Sequence, residues 1–106
     1  MNMPEIVRAY FEADSRDDPD ALTAVFAADA VVQDEDDRHD GVVSIHNWWA
    51  AARAKYCHVA EPVGVTEVGE QVSVRAKVSG NFPGSPAFLN FLFTVKNDKI
   101  VLLEIK

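Results

Sequence analysis

One cysteine, Cys57, is the whole thiol content of this chain. No internal disulfide can form, and a reducing compartment fits. Cations are also scarce: ten Lys and Arg against seventeen Asp and Glu leave a formal charge of −7. That balance repels nucleic-acid phosphates and anionic membrane surfaces, so neither is an expected partner. No apolar run approaches the length of a membrane-spanning helix. The start, Met1-Asn2-Met3-Pro4-Glu5, has neither a basic n-region nor an apolar h-region, and a cytoplasmic location is the expectation. A glycine-rich phosphate loop, a serine-nucleophile motif and a nucleotide fingerprint are all missing.

Only three histidines occur, His39, His46 and His58. The acidic stretch around His39 invites a metal reading, but it fails as an EF-hand. Arg38 sits where a ligand is required, and no glutamate closes the loop. Neither a metal nor an organic cofactor is expected. Cys57 and His58 are neighbours in sequence, which does not bring their side chains together as a nucleophilic dyad.

What is present is ordinary globular material: 106 residues, 48% hydrophobic and 25% charged. That is the size of one domain, able to bury roughly 65% of its unfolded surface. Pro4 sets a helix start, and Ile6, Val7, Tyr10 and Phe11 recur at helical spacing. Ser15-Arg16-Asp17 is a polar break. Asp18-Pro19 then starts a second helix, with Asp18 as N-cap and proline at the first helical position. Leu22, Val25 and Phe26 form its apolar stripe. A short strand over residues 30–34 follows, then an acidic loop over 35–41. A third helix is expected from about 43 to 56, its inward stripe being Ile45, Trp48, Trp49, Ala52 and Tyr56.

From Val59 onward the pattern turns to strands. Val72, Val74, Ala76 and Val78 alternate with Ser73, Arg75, Lys77 and Ser79, which reads as a half-buried strand. Pro62 and Gly64 push the stretch before it towards a bulge or a sheet edge. Turn chemistry fills 81–86, and Asn97-Asp98 is a tight turn between strands over 88–95 and 100–105. Helices first and antiparallel strands after make this an α+β chain, with helices on one face of a curved sheet. The 88–95 strand is apolar on both faces, Phe88 and Leu92 on one, Leu89, Phe91, Phe93 and Val95 on the other. A second subunit packed sheet to sheet would cover the surplus face, so a homodimer is expected.

Asp34 is the candidate for chemistry. Side chains alternate along a strand, so Ala30, Val32 and Asp34 share one face. If Val32 enters the core, Asp34 reaches the core's rim, where a carboxylate is costly unless paired, wet or used. It is either a proton acceptor or a cap for local backbone amides. Tyr10 is either a core aromatic or a hydrogen-bond donor. Asn90 is either a pocket donor or a sheet-edge contact. Trp48 and Trp49 read as core and pocket wall, Phe26 and Phe82 as lining residues, Phe82 being either a lid or part of a packed hairpin, and His39 as either part of a solvated acidic loop or a residue of the pocket mouth.

The order of parts, with Phe26-Ala27-Ala28-Asp29-Ala30 and Gly41-x-x-x-Ile45-x-x-Trp48 as its most specific stretch, resembles the NTF2-like superfamily. Within it, the chain is most similar to SnoaL-like and ketosteroid-isomerase-like members, over nearly its whole length. The resemblance implies a cone of three N-terminal helices packed on a strongly curved, mainly antiparallel sheet, with a pocket for a hydrophobic small molecule between them. Laid on the ketosteroid isomerase pattern without gaps, the helix-1 tyrosine falls on Tyr10 and the proton-moving aspartate on Asp34. The second acid of that pattern falls on Asn90, an amide. An amide donates N–H without needing a shifted pKa. What the resemblance implies is proton transfer next to a carbonyl, isomerase-like or polyketide-cyclase-like. The other reading it leaves open is a non-catalytic ligand-binding or dimerisation module of the same fold.

Overall fold

The computed structural model describes residues 2–106; Met1 lies outside the described residues. The first helix, α1 (Glu5–Ser15), begins where expected. The Pro4 carbonyl accepts from Val7 and Arg8 N–H, and Glu5 adds a favourable charge to the first turn. Val7, Tyr10, Phe11, Ala13 and Asp14 are buried on one face. Helix α2 (Pro19–Ala24) is capped by Asp18, whose side chain accepts from Ala21 N–H at 3.1 Å.

The α2 stripe ends sooner than its apolar pattern suggests. Leu22 is buried on the helix, but Val25 is its C-cap and Phe26 opens strand β1 (Phe26–Asp34). Tertiary pairing overrides the helical pattern here. Ile100 N–H donates to the Val25 carbonyl at 2.9 Å, and Lys99 Nζ donates to the Ala24 carbonyl at 2.6 Å. A register shift between Phe26 and Val31 follows. Ala30, at its end, and Val32, beyond it, are buried, and Asp34 is half-buried on the same face.

The acidic stretch after Asp34 is a hairpin rather than an open loop. Glu35 adopts φ 57°, and β2 (Asp37–Asp40) returns to pair antiparallel with β1, Asp34 opposite Asp37 and Val32 opposite His39. Charge makes this short strand a safe sheet edge. Arg38 and Asp40 pair at 3.0 Å on its exposed side. Helix α3 (Gly41–Tyr56) starts two residues earlier than expected, buries Ile45 and Trp49, and ends on Cys57 in the left-handed region at φ 48°.

Four strands complete the sheet as a meander: β3 (Val59–Val68), β4 (Gln71–Ser79), β5 (Ala87–Lys96) and β6 (Lys99–Ile105). Pro62 and Gly64 flank a register shift in β3, which is an edge strand, the two outcomes their presence allows. Val72, Val74, Ala76 and Val78 are all buried on the inner face of β4. Asn97 and Asp98 both take positive φ in the two-residue turn between β5 and β6. The sheet order is β2-β1-β6-β5-β4-β3, antiparallel throughout except where β1 lies parallel to β6. The three helices lie on its inner face, and the core between them is filled by Val7, Leu22, Ile45, Phe93, Ile100 and Leu103. Among the described residues no helix is long and apolar enough to cross a membrane.

Candidate functional site

Between the helices and the inner face of the sheet lies a cavity of about 680 Å³, within the roughly 300–1,000 Å³ of small-molecule sites. Trp48, Trp49, Ala52, Phe82, Leu89 and Phe91 supply much of its apolar wall. Asp34, Tyr10, Asp14, His39 and His58 supply polar atoms.

Asp34 reaches the cavity because the β1 alternation puts it beside Val32 on the inner face. Its Oδ2 accepts from the Trp48 indole N–H at 3.0 Å. That bond fixes one carboxylate oxygen from the apolar side of α3. His39, diagonal to Asp34 on β2, tilts against the Trp48 ring at 5.9 Å between centroids. Its Nε2 is buried without a hydrogen-bond partner. A buried ring nitrogen in that condition is an open position for a polar ligand atom.

Tyr10 arrives from α1. Its ring is packed edge-on against Phe11, Phe26 and Phe93, with centroids 5.2, 6.0 and 5.3 Å away. Burial, then the nearby charges of Asp14 and Asp34, hold its phenol well above the usual tyrosine value. The hydroxyl therefore keeps its proton and remains a donor at any physiological pH.

A second polar group was not legible as part of the site. Asp14 lies one turn after Tyr10 on the same helix face and is only 3% exposed. Its Oδ1 accepts from Trp49 Nε1 at 2.8 Å and His58 Nε2 at 3.0 Å, with Arg53 Nη1 at 3.4 Å. Arg53 also donates to the Asp14 backbone carbonyl at 2.9 Å and pairs with Asp17 at 3.0 Å. Burial pushes the Asp14 carboxyl up, but the hydrogen bonds from His58 and Trp49 and the charges of His58 and Arg53 outweigh it. The net result lies below the usual carboxylate range. The available signal was the spacing of Asp14 from Tyr10; nothing local pointed to His58.

His58 is positioned by a crowded crossing. Asn81 N–H donates to the Tyr56 carbonyl at 2.7 Å, so the end of β4 sits directly on the α3 exit. A Cβ at Gly80 would meet that carbonyl at 2.7 Å and the His58 Cα at 3.1 Å. Gly80→Ala is accordingly expected to cost about 1–3 kcal/mol, since the obstacle is backbone. Chemical denaturation measures it directly, and a stability equal to that of the parent would show that the crossing can open.

The expected site residues divide. Asp34, Tyr10, Trp48, Trp49, Phe82 and His39 all line the cavity. Phe26 does not: it is a core residue against the Tyr10 ring, because its strand begins before the cavity is reached. Asn90 is also misplaced by the expectation. It shares the outer face of β5 with Phe88 and Leu92, and its Oδ1 accepts from Arg75 Nη1 at 3.3 Å. The residues that β5 turns to the cavity are Ala87, Leu89 and Phe91. Among the described residues no group of three or more His, Cys, Asp or Glu side chains is arranged to hold a metal ion.

With this geometry in hand, comparison with known families is decisive. The SnoaL-like domain model matches residues 7–103. This chain belongs to the SnoaL-like family. A structure provisionally assigned as a polyketide cyclase, from Sinorhizobium meliloti, resembles this SnoaL-like chain at 54% identity and a TM-score of 0.97, covering 98% of this chain and 95% of that one. A protein with a ketosteroid-isomerase-like fold from Catenulispora acidiphila, in complex with trimethylamine, shares 24% identity over 99% of this chain and 86% of its own, with a TM-score of 0.87. An NTF2-like protein from Cytophaga hutchinsonii reaches a TM-score of 0.82 at 14% identity, covering 100% and 93%. These last two show the shared fold alone. No curated protein matches the sequence of this SnoaL-like chain.

Proposed function

We propose that this SnoaL-like domain binds a hydrophobic small molecule carrying a carbonyl and moves a proton on the carbon beside it. Asp34 is the base, and Tyr10 donates a hydrogen bond to the oxygen that becomes enolate. The observation that carries this reading is the convergence of Asp34 and Tyr10 on one apolar-walled cavity. The Trp48 indole steers the Asp34 carboxylate, while His39 Nε2 offers a further polar contact. Isomerisation and aldol-type cyclisation both use this step. The polyketide-cyclase assignment of the relative from Sinorhizobium meliloti agrees with the second.

The test is α-hydrogen exchange of 4-phenylbutan-2-one in deuterated water. The wild-type protein is expected to accelerate it, and Asp34→Asn to lower the rate by about 10²–10⁴-fold. Binding, followed through the fluorescence of Trp48 and Trp49, should persist. Equal exchange by both proteins would remove Asp34 from the chemistry. Binding without catalysed exchange by either would favour a non-catalytic pocket.

The outer sheet face supports a homodimer as the working form. Phe88 is 52% exposed, and Val31, Leu92 and Leu102 lie partly bare on the same face. Sedimentation should find a dimer, converted to monomer by Leu92→Glu with Phe88→Glu. A monomer at every wild-type concentration would exclude the dimer.

A further inference from the structure

The wall that β5 gives the cavity is apolar, Leu89 and Phe91, so a second proton donor has to come from another element. The Asp14 cluster provides one. Asp14 Oδ1 already has donors from Trp49 and Arg53, which tie α1 to α3. His58 is a third donor to that same oxygen, and the residue lines the cavity. Because Nε2 faces Asp14, Nδ1 is the ring nitrogen left for a ligand; it has no hydrogen-bond partner among the described residues. An imidazole oriented by a buried carboxylate is suited to carry and release a proton.

We propose that His58, oriented by Asp14, is a second proton-transfer residue of this cavity, equipping it to eliminate water from a hydrophobic β-hydroxy ketone. The inference rests on the reading of Asp34 as base. The Asp34 carboxylate takes a proton from the carbon between the carbonyl and the carbinol, with Tyr10 donating to the carbonyl oxygen. The electron pair of that C–H bond becomes the new carbon–carbon double bond. The C–O bond breaks, and the departing oxygen takes a proton from the His58 imidazolium at Nδ1. The products are a conjugated enone and water. Asp34 then loses its proton to solvent and His58 regains one, which restores the starting state. A β-hydroxy ketone is also the immediate product of an aldol reaction, so the class of reaction that supplies this substrate is carbon–carbon bond formation between two carbonyl compounds.

The groups that set the charge around His58 are Asp14 and Tyr10 from α1, Arg53, Lys55 and Tyr56 from α3, and Asp34 across the cavity from β1. Of these Asp14 is in direct contact, its Oδ1 3.0 Å from His58 Nε2.

The probe is 4-hydroxy-4-phenylbutan-2-one, whose dehydration to the conjugated enone is followed by ultraviolet absorbance. Its α-hydrogen exchange is followed in parallel in deuterated water. His58→Gln keeps a polar side chain but has no transferable proton. It is expected to lower the ratio of dehydration to exchange by about 100-fold, whereas Asp34→Asn abolishes both. A ratio has the advantage that partial unfolding lowers both rates together. In the wild-type protein, dehydration should fall with rising pH, as the imidazolium donor is lost, while exchange continues. That second measurement stands even if His58→Gln does not fold. An unchanged ratio in His58→Gln, parallel pH profiles in the wild type, or exchange with no dehydration would each overturn the inference and leave Asp34 as base. Loss of exchange in the wild type would overturn the Asp34 reading and this one with it.

Discussion

Replacing Asp14 by alanine is expected to destabilise the protein by about 3 kcal/mol. The residue is one of the buried links between α1, α3 and the start of β3. Its removal strands the Trp49 N–H and the His58 N–H and takes a charge from Arg53. Breaking a buried pair from one side costs roughly 3–5 kcal/mol because the remaining partner stays desolvated. The lower end applies, since Arg53 keeps Asp17 and is partly exposed. Asp14→Asn, which retains an acceptor oxygen, should lose less. The pH dependence has a definite sign. A carboxyl whose folded pKa is depressed contributes stability that is complete above the unfolded value of about 4. It is lost as the pH falls through the lower folded value. Urea titrations of wild type and Asp14→Asn at neutral pH and near pH 3 test this. The gap between them should narrow in acid, and a constant gap would mean that the carboxylate's ionisation is not what stabilises the fold.

Phe93→Ala is expected to cost about 4 kcal/mol, Phe93 being the largest of the fully buried side chains. Phe93 is fully buried, and its ring meets Tyr10, Phe11 and Phe91 at centroid distances of 5.3, 5.8 and 6.4 Å. Truncating a phenylalanine in such surroundings removes transfer energy and leaves a cavity, roughly 3–5 kcal/mol together. The loss also loosens the seat of Tyr10, so the hydrogen bond proposed for its phenol would be less well aimed. Phe93→Leu, which fills most of the space, should recover a large part of the stability. Thermal and urea unfolding of the two variants measure the difference; equal stabilities would show that the core collapses around the gap.

Asp34 and Tyr10 could be placed from sequence because each depends on one local period. Alternation from Val32 put Asp34 on the inner face, and helical spacing put Tyr10 beside Val7 and Phe11. Asn90 failed for a related reason. The ketosteroid isomerase pattern put it at the pocket, yet the same period of two that places Phe91 inward places Asn90 outward. A slip of one residue exchanges the faces of a strand. Phe26 failed because a helical apolar pattern cannot reveal that β6 will capture the chain at Val25. His58 depends on the left-handed turn at Cys57 and the approach of Gly80, which no spacing in the sequence records. The second strand of the acidic hairpin was hidden by its charge, which reads as loop but serves equally well on a sheet edge.

The parallel pairing of β1 with β6 has a consequence for the order of assembly. Strands β3 to β6 are successive hairpin neighbours and can close by short-range contacts, whereas β1 must find a partner made only after all of them. Contacts between distant segments form slowly because their loop entropy is lost before they gain anything. A chain emerging from the ribosome therefore holds Asp34 on a strand paired on one side only, with β2, until Ile105 arrives on the other. The wall of the cavity that carries Asp34 is thus the last part of the sheet to be completed, and a half-made chain has no closed pocket.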